Sequence, residues 1–336
     1  MKSLAVVILN YNGIKLIKKF LPSVIKFTPI RYNIYIIDNG SSDGSVKFIR
    51  SNFKRIKIVQ LNKNYGYAKG YNIGLRNIND DILCLLNNDV EVTDKWTEKI
   101  MTQFENEKET AVIQPKMKNF NNKDYFDYAG ASGGFLDRYG YPYCNGRIYN
   151  KIEKDNNQYN EIIKIFWACG ACFFIRNNTF KKFGGFDEIF WAHFEEIDLC
   201  WRLQNNGYNI SFNPNSTIYH VNAASLNSYD PKKTYFNYRN MLFTITKNSK
   251  QNLFLLLLEK HFIDAIIAIF LLFTRGLNHF TAIIKAYLSF YKHINLLIQY
   301  RRNNKRKIIH YKTRSIICEY LFLSLIHISE PTRRIT

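Results

Sequence analysis

The stretch Phe190-Trp191-Ala192-His193-Phe194-Glu195-Glu196-Ile197-Asp198-Leu199-Cys200-Trp201-Arg202 sets three carboxylates among large apolar side chains. A carboxylate held against apolar surface loses hydration, so its proton affinity rises and it becomes a better general base than one in open water. The same residues also have a purely electrostatic use. Acids in the first turn of a helix oppose its macrodipole, and Asp198 stands one turn before Arg202 and can pair with it. Residue type alone leaves both uses open.

Further polar clusters close short runs of strand-forming residues. Asn10-Tyr11-Asn12-Gly13 follows the run 4–9, Asp38-Asn39-Gly40-Ser41-Ser42-Asp43-Gly44 follows 34–37, and Asn87-Asn88-Asp89 follows 82–86. Between the second and fourth runs lies a third, 56–61, which leads into a glycine-punctuated segment, 62–74. Strands alternating with helix-compatible stretches predict crossovers into a parallel sheet. Ligands bind beyond the carboxyl ends of strands in such a sheet, so the three clusters converge on one crevice, a nucleotide site by position. The glycine spacing in 62–74 is not the dinucleotide fingerprint and follows the third run, which disfavours a Rossmann dehydrogenase. Downstream, the pattern predicts a helix over 94–106, a strand over 111–114 and an irregular insertion over 118–161 on the substrate side. A buried strand over 166–175, a turn at Gly184-Gly185-Phe186-Asp187, the carboxylate helix and strands over 208–213 and 217–220 complete this part.

The chain has 336 residues, enough for one large domain with an appendage. A hydrophobic share of 46% and an aromatic share of 16% exclude a disordered chain. Lys and Arg number 47 against 27 Asp and Glu, a net charge of +20 that calls for an anionic partner: nucleic acid, a phospholipid surface or a nucleotide-bearing substrate. No aromatic platform interleaves the basic cluster and no nucleic-acid-reading motif appears, so nucleic acid is disfavoured. The six cysteines read as reduced thiols, because the close pair Cys169 and Cys172 lacks the further ligands of a zinc site. The apolar run 4–9 is too short for a secretory signal, and the start reads as cytoplasmic.

Beyond Lys250 the composition turns to Leu, Ile and Phe broken by isolated charges. The longest apolar run, 265–273, is bracketed by Asp264 and Arg275 and falls well short of the roughly 20 residues that span a bilayer. An interfacial amphipathic pair fits better. The cluster Arg301, Arg302, Lys305, Arg306, Lys307, Lys312 and Arg314 would be drawn to anionic headgroups. A soluble helical subdomain with a solvated basic face is the alternative. Residues 323–333 resemble the in-frame translation of a transposon-based sequencing adapter, and 323–336 are accordingly treated as foreign to the fold.

In order along the chain, 6–13, 37–45, 64–74, 85–89, 184–188 and the carboxylate helix resemble the family 2 glycosyltransferases of the GT-A fold, in their rhamnosyltransferase-like branch. The resemblance covers roughly residues 4–245 and implies an α/β domain with a Rossmann-like mixed sheet over 1–245. Residues 246–322 would form a helical, membrane-associating appendage. The implied reaction is inverting transfer of a sugar from a UDP- or dTDP-linked donor, such as dTDP-rhamnose, to a hydroxyl of a cell-surface or lipid-linked glycan. It would take place at the inner face of the cell membrane. By the same resemblance Asp38 accepts the imide hydrogen of the base, the turn holding Asn10 and Asn12 packs under the ring, and Asn72, Asn88 and Gly170 serve the donor. Asn87-Asn88-Asp89 stands where the family has Asp-x-Asp, so Asp89 is the direct ligand for Mg²⁺ or Mn²⁺. Asn87 is a weaker ligand and His220 a compensating one. Glu196 is the expected general base, Glu195 the first fallback, and Asp198 a strut to Arg202. A membrane-bound nucleotide-sugar binding protein, left inactive by the amide at Asn87, is the alternative. The segment Gln299-Tyr300-Arg301-Arg302-Asn303 lacks the tryptophan of the processive synthases, which disfavours that reading. Two-carboxylate glycoside hydrolysis would leave the nucleotide-site pattern unexplained.

Overall fold

The computed structural model describes residues 1–222, 230–304 and 308–320. It opens with β1 (Leu4–Asn10), α1 (Ile14–Phe27), β2 (Asn33–Asp38), α2 (Ser45–Asn52), β3 (Lys57–Gln60), α3 (Tyr67–Gly74) and β4 (Ile82–Asn87). These four strands are parallel, and β4 returns to the far side of β1, giving the order β4-β1-β2-β3. β1 and β4 are apolar and buried along almost their whole length, as strands covered on both faces must be. α1 buries Ile17, Phe20, Leu21 and Val24, spaced to share one helical face, and Ile17, Leu21 and Val24 join the same core as β1 and β4. The reversal of strand order beside β1 is a topological switch point, and there Leu9 lies next to Asn87 and Asn10 next to Asp38.

The chain continues through β5 (Val90–Val92), α4 (Glu98–Asn106), β6 (Thr110–Asn119), β7 (Gly134–Leu136), β8 (Pro142–Cys144), β9 (Arg147–Ile148), β10 (Lys151–Ile152), β11 (Ile163–Lys164), β12 (Cys172–Arg176), α5 (Asn177–Lys182), α6 (Glu195–Asn205) and β13 (Asn209–His220). β12 inserts antiparallel between β4 and β6, and β13 runs parallel to β6, so the sheet is mixed. Its order is β11-β13-β6-β12-β4-β1-β2-β3, with β5 paired to β13.

Four local expectations change. The helix expected from 94 begins at Glu98, because Lys95 takes a φ of 56° that no right-handed helix admits. Apart from an isolated bridge of Trp167 to Gly134, the strand expected over 166–175 forms a continuous ladder only from Cys172 onward. Ahead of it the Cys169 N–H is taken by the Gln114 side chain (2.8 Å), and the Gly170 carbonyl accepts from the Tyr67 hydroxyl (2.7 Å). The two strands expected over 208–213 and 217–220 are one, β13, with an irregularity where the Asn213 side chain bonds the Asn215 N–H. The insertion read as irregular carries a small antiparallel sheet, β10-β9-β8-β7, of strands two or three residues long, too short to show a period.

α7 (Pro231–Asn248), α8 (Leu253–Arg275) and α9 (Leu277–Asn303) follow, and α7 passes unbroken through residue 245. α7 and α9 lie side by side in the same direction. Thr234 meets His279 at one end (2.9 Å), while Arg301 donates to the carbonyls of Thr246 and Ser249 at the other. α8 is pinned by buried polar groups: Asp264 pairs with Lys260 (3.2 Å) and accepts the hydroxyls of Tyr141 and Tyr287. Its outer face is apolar, with Phe254, Leu258, Phe262, Ile266, Ile269 and Phe273 all exposed at intervals of three or four residues. Among the described residues no helix is long and apolar enough to cross a membrane. Lys305, Arg306 and Lys307 of the basic cluster and the adapter-like residues 323–336 lie outside the described residues.

Candidate active site

A cavity of about 1030 Å³ opens at the switch point. Of the residues singled out in the sequence, Asn87, Asn88, Gly170, Glu195, Glu196 and His220 line it together. Asn10, Asn12 and Asp38 stand behind that wall. Asn10 accepts from the Asn88 amide (2.9 Å) and donates to the Ser45 hydroxyl (3.1 Å), while the Asn12 side chain accepts from the Ser42 N–H (2.8 Å). Gly13 packs against this pair so closely that a Cβ there would lie 2.4 Å from both Asn10 Oδ1 and Asn88 Nδ2. Asp38 is fully buried. Its Oδ2 accepts from the Ser41 N–H (3.2 Å), and its Oδ1 has no hydrogen-bond partner. Asn72 is not brought to the cavity. Its amide clamps the Phe186 backbone, donating to the carbonyl (2.8 Å) and accepting from the N–H (3.0 Å), which fixes the glycine turn ahead of α6.

Three residues not singled out in the sequence join this end. Asn39 donates to Asn64 Oδ1 and the Gly66 carbonyl (both 3.0 Å), tying the end of β2 to the glycine loop. Gly66 has a φ of 78°, and a Cβ on it would come within 2.9 Å of Trp191. Asp127, from the insertion, holds His220: its Oδ2 lies 2.9 Å from Nδ1, and Asp89 Oδ1 lies 3.2 Å from Nε2. Burial works to lower the imidazole pKa, but the two carboxylates outweigh it and push it up to about 10. Nothing in the sequence flagged Asp127, which sits in a stretch without period.

Residues that could hold a divalent cation therefore meet at one place. Asp89 offers a carboxylate beside His220 Nε2; without a cation the imidazole is held protonated between its two carboxylates, so it would ligate only on giving up the Nε2 proton, while Asp127 fixes its other nitrogen. Oxygen and imidazole donors suit Mg²⁺ or Mn²⁺. Among the described residues no set of three or more His, Cys, Asp or Glu side chains is arranged to hold an ion unaided.

The carboxylates are set by an unusual corner. His193 and Phe194, with φ of 68° and 73°, are both left-handed, a conformation that costs of order 1 kcal/mol or more for each non-glycine residue. Asn240 of α7 supports the corner, its amide donating to the carbonyls of Ala192 (2.8 Å) and His193 (2.7 Å). From there α6 begins with Glu195 and Glu196 at the cavity wall. Burial first, then the charge of Glu196, raises the Glu195 carboxyl well above its ordinary value. Burial also raises Glu196, to about 7, while the Gly170 N–H and the N–H groups at the start of α6 hold it down. The two carboxyls titrate as a pair that burial shifts upward, and Glu196 is the one whose carboxylate form the backbone N–H groups favour. Asp198 faces away, accepting from Arg202 Nε, Lys247 and Asn248 (each 2.8 Å), and locks α6 onto α7.

A family model described as "Glycosyl transferase family 2" matches residues 5–184, more than half of the chain. The chain is 21% identical over 244 residues to N-acetylglucosaminyl-diphospho-decaprenol L-rhamnosyltransferase of Mycobacterium tuberculosis, covering 66% of this chain and 77% of that protein. Its fold is similar to that of GalNAc-T7 solved with UDP, GalNAc and Mn²⁺, at a TM-score of 0.65 and 16% identity, covering 100% of this chain and 59% of the other. It is also similar to S. aureus TarS 1-349 in complex with UDP-GlcNAc, at a TM-score of 0.53 and 18% identity, covering 90% and 88%. The mixed sheet is that of the GT-A fold.

Proposed function

The chain belongs to glycosyl transferase family 2, and from that premise we propose that it is an inverting transferase. The reading is that it moves a sugar from a UDP- or dTDP-linked donor, with rhamnose the favoured sugar, to a hydroxyl of a lipid-linked or cell-surface glycan. The observation that carries this is the position of Glu196, a glutamate whose pKa burial raises to about 7, on the same cavity as the strand-end residues Asn87 and Asn88 and as His220.

Asp38 Oδ1, buried without a partner, is the acceptor for the imide N–H of the base, in a wall that Asn10 and Asn12 keep rigid. Asp89 and His220 would hold Mg²⁺ or Mn²⁺, with Asn87 a further oxygen donor at the rim; a bound cation offsets the charge growing on a departing diphosphate. Glu196 takes the proton of the acceptor hydroxyl as its oxygen attacks the anomeric carbon in a single displacement. Burial and the charge of Glu196 favour the neutral form of Glu195, which works against a second negative charge beside the attacking oxygen. The apolar outer face of α8, together with the cationic Arg275, Lys292 and Arg302 exposed on α8 and α9, supports a peripheral seat on an anionic membrane surface.

A donor panel tests the reading. UDP- and dTDP-sugars are incubated with Mn²⁺ or EDTA, nucleotide binding and nucleoside-diphosphate release are measured, and product configuration is read by NMR. Metal-dependent release with inversion is expected. Nucleotide binding without release would return the chain to a binding protein, and the absence of both would remove the enzyme.

A further inference from the structure

The cavity reaches past the residues assigned to the donor. Beyond Glu195 and Glu196 it continues between the first turns of α7 and α9, lined by Lys232, Tyr235 and Phe236 from one and by Thr281, Ala282 and Lys285 from the other. Among the described residues the only acidic side chains on the cavity wall are the two glutamates. Lys232 and Lys285 are exposed, and among the described residues neither has an ion-pair partner. The parallel packing of α7 and α9 turns both helix N-termini, with their partial positive charge, toward this half. Lys285 also stands on a boundary, because its neighbours Ile284 and Leu288 are 45% and 66% exposed and continue the apolar surface of Phe273 and Leu277.

We propose that this half of the cavity is an acceptor subsite for an amphiphile, in which Lys232 and Lys285 clamp a phosphate or diphosphate. The hydrocarbon chain leaves over Leu277, Ile284 and Leu288, and the sugar is directed toward Glu196. The assignment rests on the transferase reading and adds to it the chemical class of the acceptor. A cavity with cations at its mouth, aromatic rings inside and apolar surface outside matches a lipid-linked sugar in charge and in order along its length. A free neutral glycan would leave both lysines and the exposed Ile284 and Leu288 without a role. The same lysines could instead meet phospholipid headgroups, and the test separates the two sources.

Farnesyl diphosphate and farnesol serve as probes, their affinities for the full chain measured by fluorescence with UDP and Mn²⁺ present so that the donor half is filled. Binding to phosphatidylglycerol vesicles is measured in parallel. The Lys232→Ala/Lys285→Ala double variant is expected to bind farnesyl diphosphate about tenfold or more weakly, as befits two lost charge-assisted contacts. Farnesol affinity, vesicle binding and UDP binding should be unchanged, and the Lys232→Arg/Lys285→Arg pair should keep wild-type affinity. Unchanged affinity for farnesyl diphosphate in the alanine pair overturns the subsite. Loss of vesicle binding with that affinity intact also overturns it, in favour of a headgroup contact. If neither UDP nor dTDP binds the wild type, the donor reading fails separately, and the diphosphate comparison still decides the subsite.

Discussion

The acid limb of the rate profile follows from the setting of Glu196. Burial lifts this carboxyl from an ordinary 4.5 to about 7. A base must be ionised to act, so at pH 6 only about one tenth of the enzyme is competent, whereas a glutamate of ordinary acidity would be roughly 97% ionised there. Nucleoside-diphosphate release at saturating donor and cation should therefore rise about tenfold between pH 6 and 8. The same setting has a stability consequence. The folded-state value lies above the unfolded one, so the contribution of Glu196 to stability is fully present below pH 4.5 and is lost as pH rises through 7. The Glu196→Gln variant cannot ionise and escapes that loss. With allowance for solvent at a part-exposed group, it should be more stable than wild type by roughly 1–2 kcal/mol at pH 8, or about 2–4 °C in Tm, with no difference near pH 4.5. Thermal melts at the two pH values and kcat from pH 5 to 9 check both. An acid limb near 4.5, or a Gln variant no more stable at pH 8 than at 4.5, would refute the reasoning.

Three further outcomes are expected. Asn240→Ala removes both hydrogen bonds that support the left-handed corner, so kcat should fall about tenfold with donor KM little changed, at a stability cost of about 1–3 kcal/mol by urea melts; a fall in KM alone would contradict a positioning role. Asp198→Ala leaves Lys247 with Asp187 alone and Arg202 with the carbonyls of Phe183 and Gly185 at the junction of α6 and α7 and should cost ~1–3 kcal/mol in the same assay, and a loss under 0.5 kcal/mol, a value roughly at the bottom of the range for one net hydrogen bond, would show that the hub is dispensable. Phe262→Asp with Phe270→Asp places charge on the apolar face of α8 and should abolish flotation with phosphatidylglycerol vesicles while UDP binding persists; flotation as strong as wild type would remove α8 from the membrane contact.

Much of this arrangement is visible in residue order, and the exceptions have physical causes. The strand-end clusters converge as expected because buried parallel strands announce themselves by unbroken apolar runs, and 4–9 and 82–86 are such runs. The pairing of Asp198 with Arg202 follows from helical spacing alone. Asn72 differs, because its direction depends on where α3 begins, and a helix starting at Tyr67 turns that amide onto Phe186 rather than the cavity. Asp127 reaches His220 from a stretch with no period, by a contact across more than ninety residues that no local pattern encodes. The left-handed pair His193 and Phe194 runs against residue preference and is imposed by Asn240 and the packing of α7. The contribution of α9 to the cavity depends on parallel packing against α7, a tertiary fact outside the reach of periodicity.

The central claim is that Glu196, and not its neighbour, takes the acceptor proton. Glu196→Gln and Glu195→Gln, each assayed for sugar transfer and donor binding at pH 8, test it directly. Glu196→Gln should lower kcat by about 10²–10⁴ with donor affinity intact, as expected for loss of a general base. Glu195→Gln puts a neutral amide where burial and the Glu196 charge already favour the neutral carboxyl, and should keep kcat within about tenfold of wild type. Near-normal turnover by Glu196→Gln, or the larger loss in Glu195→Gln, would contradict the assignment.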